Sequence, residues 1–176
     1  MFLIAIKFLA NIFSILNSEE SPRQIAAGFA VGAWIGLIPV GFLPSAMLFL
    51  CFLINVNLAT LALAAAIFKI IAFGVDPLAH RLGYLLLART DALRPLWTRL
   101  YNLPIVPYTR FNNTIVMGSL VIGFVLLIPI YLAAGAGLKA YRATYRDRIK
   151  DSHFMKALKA STFYKYYEMY RSVRGQ

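Results

Sequence analysis

GFAVGAWIGLIPVGFLP, residues 28–44, places Gly28, Gly32 and Gly36 in an apolar run and then interrupts it with Pro39, Gly41 and Pro44. At 100° per residue a step of four advances only ~40°, so the three glycines share one helix face as a continuous groove. Lipid tails are as apolar as leucine, so helices associate in a bilayer through close van der Waals contact, which a small-residue groove permits. Two occupants fit this groove: another helix of the same chain, or the transmembrane helix of a partner. Upstream, Ser21 is placed to cap, Pro22 suits the first helical position, and Gln24 can reach back, which predicts a helix from residue 22 to about 38.

The prolines make this helix short. Residues 25–38 number 14, or ~21 Å of helix, and residues 44–54 number 11, or ~16 Å, against a ~30 Å hydrocarbon core. Three arrangements remain open. The pair forms a re-entrant hairpin turning at PVGFLP, or the second piece joins 58–73 past Asn55 and Asn57 as a broken helix, or a Pro-Gly turn near the surface links two tilted helices. Backbone freed at membrane depth must be buried in protein or line a wet cavity, which makes Pro39, Gly41 and Pro44 candidates for shaping one.

Composition sets the environment. Apolar residues are 60% of the 176 positions and charged residues 14%, with a mean hydropathy of +0.68, which predicts an all-α integral membrane protein. The 18 Lys and Arg against 7 Asp and Glu point, in that setting, to anionic phospholipid headgroups rather than nucleic acid. The one cysteine, Cys51, allows neither an internal disulfide nor a thiolate cluster for zinc.

The apolar stretch 2–16 carries Lys7 inside it, and no small-x-small cleavage site follows, so a retained segment is expected rather than an export signal. Lys7, Asn11, Ser14 and Ser18 fall at steps of four, three and four, a polar line along one side of a helix. Segment 1–18 therefore reads as an amphipathic helix in the membrane interface, with a short uncleaved anchor as the alternative.

Polar groups within the apolar region 22–88 are few. Lys69 costs ~2.5 to 3.5 kcal/mol at a helix centre on insertion scales. Being five residues before Gly74, it is expected to snorkel its amine to the interface, with a functional intramembrane charge as the alternative. Asn55, Asn57 and Lys69 together form the polar intramembrane set. Asp76 before Pro77 predicts a helix start, with Asp76 as its cap and the helix running to about residue 88. His80 shares the face of Asp76, but no second carboxylate or histidine lies nearby, and His153 is in the tail, so neither a metal site nor a cofactor is expected.

Residues 89–113 hold four arginines, one aspartate, three prolines and Trp97, Tyr101 and Tyr108, a mixture suited to the headgroup level as an interfacial linker. The strongest span follows at 114–138, with a kink expected at Pro129 and small faces at Gly118, Ser119, Gly123, Gly135 and Gly137. The tail, 139–176, carries ten Lys and Arg against Asp147, Asp151 and Glu168, a net of plus seven, and the linker is net plus three. The larger charge is expected to place the tail in the cytoplasm; either the linker is then external despite its own charge, or the Pro129 segment does not cross. Phe163, Tyr166, Tyr167 and Tyr170 share a helical face, and Lys139, Arg142, Arg146, Arg148, Lys150, Lys156 and Lys159 are the candidates for gathering anionic lipid.

The run SPRQIAAGFAVGAWIGLIPVGFLPSAMLFLCFLINVNLAT resembles the signature of an uncharacterised bacterial inner-membrane family, a domain of unknown function found alone or fused to glycosyltransferases. The resemblance covers about residues 22–87: a glycine-rich helix ending in proline, a short second apolar segment, and an asparagine after it, here Asn55 or Asn57. The family's later Asn-Pro pair corresponds to Asp76-Pro77. A subgroup of similar length is encoded beside a large envelope protein resembling the AsmA-like bridges that carry phospholipid between membranes. The resemblance therefore implies a non-enzymatic inner-membrane subunit that anchors such a protein and assists lipid transport. The alternative is a small oligomeric transporter or channel whose polar path is lined by Asn55, Asn57 and Lys69. Paired carboxylates, nucleophile-base sets and metal-ligand clusters are lacking, so an enzyme is not expected.

Overall fold

The computed structural model describes residues 21–54 and 56–144, and every described element is helical. The expected interfacial helix at 1–18, Asn55 and the aromatic face of the tail lie outside the described residues. Residues 20–136 form one compact unit; 137–144, the last turns of the final helix, belong to a second.

Helix α1 spans Pro22–Leu37. The Gln24 N–H donates to Ser21 Oγ at 3.2 Å, and the Ser21 hydroxyl donates in turn to Gln24 Oε1 at 3.1 Å. Pro22 occupies the first turn, where its missing N–H leaves no bond unmade. The helix ends because Pro39 excludes the helical conformation from the residue before it, and Ile38 is extended at ψ 134°. Nine of its sixteen residues are buried, which makes this short helix the centre of the bundle.

Helix α2, Phe42–Cys51, begins two residues earlier than the proline pattern predicts. Pro44 falls in the first turn, where no intrahelical donor is needed, and the Ser45 hydroxyl donates to the Gly41 carbonyl at 2.9 Å. Of its ten residues only Cys51 is buried, in a cluster with Ile35 and Leu61.

Helix α3 spans Leu58–Tyr84 and is capped by Asn57, whose Oδ1 accepts from the backbone N–H and the hydroxyl of Thr60, both at 2.6 Å. It runs without interruption through Pro77, which corrects the expected helix start at Asp76. Pro77 offers no N–H to the Phe73 carbonyl and crowds it, a local cost of ~3 kcal/mol that tertiary packing on both sides of the proline offsets. Ala72, Ala79 and Gly83 are all buried there. A single wide turn at Leu85–Arg89 continues the helix, and the Thr90 hydroxyl closes it by donating to the Leu85 carbonyl at 2.9 Å.

Helix α4, Arg94–Tyr101, lies within the connection to α5, Thr114–Thr144. Asn113 caps α5, accepting from the N–H groups of Ile115 and Val116 at 2.9 and 3.3 Å. Two stretches, Leu58–Arg89 and Thr114–Thr144, are long and apolar enough to cross a membrane.

Gly28, Gly32 and Gly36 lie against the backbone of Asn57, Leu61 and Ala65 in that order. Both series rise together, so α1 and α3 run parallel, and their starts meet where the Asn57 N–H donates to the Gln24 carbonyl at 3.3 Å. Parallel neighbours need a return path, and α2 lies on it. Helix α5 runs antiparallel to α3: Gly83 faces Thr114, and Gly118 faces Ala79.

Candidate functional site

Among the described residues, polar side chains gather at helix ends. At the α1–α2 turn, Lys69 Nζ donates to the carbonyl of Ile38, the residue that terminates α1. The last carbonyls of a helix carry about half a unit of negative charge, so an ammonium there is favourably placed. The Lys69 amine is thus held at the α1–α2 turn. Pro39 and Gly41 form the turn beside it, and Gly41 meets little, its nearest atom being the Pro39 carbonyl oxygen at 4.0 Å from a Cβ built on it. Asn57 is equally engaged, as the cap of α3.

The glycine groove is filled from within the chain. A Cβ on Gly36 would fall 2.6 Å from the Ala65 carbonyl oxygen, and on Gly28 or Gly32 it would penetrate the carbonyls of Asn57 and Leu61. Of the two occupants open to Gly28, Gly32 and Gly36, a helix of the same chain fills the groove, which leaves no room there for a partner's helix. A second seam joins α3 to α5 through Gly118, one of the small faces expected on the last span. Ala79 and Gly83 on one helix and Thr114 and Gly118 on the other are each four apart, and each glycine meets the other helix's backbone. The His80 ring nitrogen Nδ1 and Thr114 Oγ1 share a hydrogen bond of 2.7 Å across it. Trp34 completes the bundle: its ring sits over Gly123, its Nε1 donates to the Leu120 carbonyl at 3.0 Å, and Phe124 lies 5.8 Å away centre to centre.

The connection between α3 and α5 brings open space and mixed chemistry together. Trp97 on α4 is fixed by its Nε1, which donates to the Leu86 carbonyl at 3.0 Å. Arg110 adopts the left-handed conformation at φ 55°, and the turn it makes delivers Phe111 to a position only 8% exposed. The Phe111 ring lies 6.1 Å from Trp97 and 6.4 Å from Tyr101. Around these rings opens a shallow cleft of about 400 Å³, walled also by Leu87, Arg94 and Asn112. Arg94 pairs with Asp91 at 3.3 Å, but both side chains are largely exposed, 73% and 83%, so the pair holds weakly. The residue types at 89–113 give the expectation of a headgroup-level linker; that Phe111 is folded among them has no sequence signal.

Of the basic residues expected to gather lipid, Lys139 and Arg142 lie on the last turns of α5, which continues to Thr144. Arg146, Arg148, Lys150, Lys156 and Lys159 lie outside the described residues. Among the described residues no three His, Cys, Asp or Glu side chains converge as metal ligands.

Comparison with known proteins matches residues 7–147 to the family described as an uncharacterized protein conserved in bacteria (DUF2062). An uncharacterized protein of Treponema pallidum (strain Nichols) is 31% identical over 145 residues, covering 82% of this chain and 89% of the relative. No solved structure matches.

Proposed function

The chain belongs to the DUF2062 family of bacterial proteins, and we propose that it works as a non-enzymatic subunit of the inner membrane, anchoring a large AsmA-like envelope protein and assisting phospholipid movement between membranes. The observation that carries the anchoring role is the distribution of exposed apolar side chains. Phe49 and Leu53 on or just after α2 are 67% and 76% exposed, Phe73 on α3 is 78% exposed, and Phe124, Ile128 and Leu132 on α5 are exposed too. Patches of this kind need an apolar surrounding, which lipid tails or another membrane helix supply.

In a bilayer, α3 and α5 cross in opposite directions. The starts of α1 and α3 share a side, which makes α1 and α2 a re-entrant hairpin entering from the cytoplasmic face. Lys69 lies eleven residues into α3, ~17 Å from its start, about halfway through the hydrocarbon core. The broken backbone at Ile38 and Pro39 is then at membrane depth, where Lys69 supplies the donor that water cannot. The basic tail remains cytoplasmic and the linker faces outward, towards an envelope partner. Because the glycine face is filled, the partner contact moves to the outer face of α2 around Phe49 and Leu53. Of the residues that would line a transporter's path, Lys69 and Asn57 serve helix ends, which favours the anchoring reading.

The test is purification from native membranes in mild detergent, with mass spectrometry of co-purifying proteins and lipids. A stoichiometric large envelope protein with phospholipid is expected, and it should be lost on replacing Phe49 and Leu53 with serine. A homo-oligomer without a partner overturns the anchoring role.

A further inference from the structure

The linker cleft has features that the anchoring role leaves unused. Four arginines, Arg89, Arg94, Arg99 and Arg110, stand against one acidic residue, Asp91, in the segment that the membrane reading places outside. Positive charge is disfavoured on that side, so its retention calls for a local reason. Arg94 lines the cleft, and its weak, exposed pairing with Asp91 leaves the guanidinium free to exchange one oxyanion for another. Trp97 is held in place by its hydrogen bond to Leu86, and Phe111 is delivered by a left-handed residue that is not glycine, a conformation a chain keeps only where the surroundings impose it. Leu87 continues the cleft onto the last turn of the apolar helix.

We propose that this cleft binds the phosphodiester headgroup of an anionic phospholipid in the outer leaflet, with Arg94 on the phosphate, Asn112 at the rim, and Trp97, Tyr101 and Phe111 against the glycerol and first acyl carbons. An aromatic floor beneath a guanidinium matches a ligand that is charged at one end and apolar at the other, and Leu87 gives the acyl chain a path towards the bilayer. The inference rests on the membrane reading and gives that reading a docking point for lipid on the side facing the envelope.

The full chain is reconstituted in nanodiscs containing equal phosphatidylglycerol and phosphatidylcholine, released in detergent, and its retained lipid counted by native mass spectrometry. Wild type is expected to retain phosphatidylglycerol preferentially. Arg94→Gln should reduce that retention about tenfold, the loss of one charge-assisted hydrogen bond, and Asp91→Asn should raise it by releasing Arg94. Arg99→Gln, outside the cleft lining, should leave it unchanged. Equal losses from Arg94→Gln and Arg99→Gln, or none from either, overturn the cleft assignment. Competition by inorganic phosphate as strongly as by short-chain phosphatidylglycerol overturns the lipid in favour of free phosphate. Alkaline extraction of the source membranes separates the two levels. A chain that stays with the membrane while Arg94→Gln binds lipid as wild type does refutes the cleft alone; a chain released by alkali refutes the membrane reading and the inference with it.

Discussion

Lys69 donates through Nζ to the carbonyl of Ile38, so a cation on α3 closes the end of a helix 31 residues earlier in the chain. Pro39 prevents α1 from adding another turn, which leaves the Ile38 carbonyl without a helical donor and gives Lys69 its structural task. Lys69→Met keeps the aliphatic stem and removes the donor. It should lower stability by about 1 to 2 kcal/mol, read as a reduced thermal midpoint of the purified chain in detergent. An unchanged midpoint would show that the ammonium contributes nothing at this turn.

Glycine substitutions should separate the seam from open positions. Gly32→Ala drives a Cβ into the Leu61 backbone, and the two helices must part to admit it. Gly74, also on α3, has nothing within 4 Å of such an atom. Gly74→Ala should therefore be neutral or stabilising by about 0.5 to 1 kcal/mol, while Gly32→Ala should destabilise by about 1 to 3 kcal/mol. Side-by-side unfolding of the two variants decides it, and equal effects would contradict the parallel α1–α3 packing.

The cap of α3 gives a third expectation. Asn57→Ala removes the acceptor for Thr60 and should cost about 1 kcal/mol, whereas Asn57→Asp retains an acceptor and should cost less. Amide exchange in the first turn of α3 is the direct readout: faster exchange at Thr60 in the alanine variant alone is the expected pattern.

Trp34→Phe tests the contact between α1 and α5. It deletes the hydrogen bond to Leu120 while keeping an aromatic ring over Gly123, and about 1 kcal/mol of stability should be lost. Trp97 then remains as the other tryptophan, and its emission should be unaltered because its bond to Leu86 lies in the linker. A shift in the remaining emission would mean that the two regions respond to one another.

Local signals announce some of this architecture and cannot announce the rest. Ser21, Pro22 and Gln24 mark the start of α1, and Pro39 marks its end, because caps and prolines act on the residues beside them. Asn57 carries a comparable local signal, a side-chain acceptor three residues ahead of Thr60 at the head of an apolar run, but an asparagine among apolar residues reads equally well as the lining of a polar path. Pro77 misleads for the opposite reason. Its preference for a helix start is local, whereas the buried contacts of Ala72, Ala79 and Gly83 that keep α3 continuous come from elsewhere in the chain. The cleft divides the same way: Arg94, Trp97 and Tyr101 read as headgroup chemistry, but only the turn at Arg110 places Phe111 beneath them.

The contact between Trp34 and Leu120 spans 86 residues of sequence. At ribosomal rates of about 5 to 20 residues per second, α1 leaves the ribosome about 4 to 17 s before α5 arrives to cover it. During that interval its glycine face is also bare until α3 emerges, and 16 residues of helix are too few to settle across a bilayer alone. If the chain is a membrane protein, as proposed, its biogenesis should keep α1 sheltered, by the insertion machinery or a chaperone, until both later helices have been made. A nascent chain stalled with residues 28–36 outside the exit tunnel and Leu61 still within it should crosslink to that machinery through residues 28–36, and one from whose tunnel Gly135 has emerged should have released it.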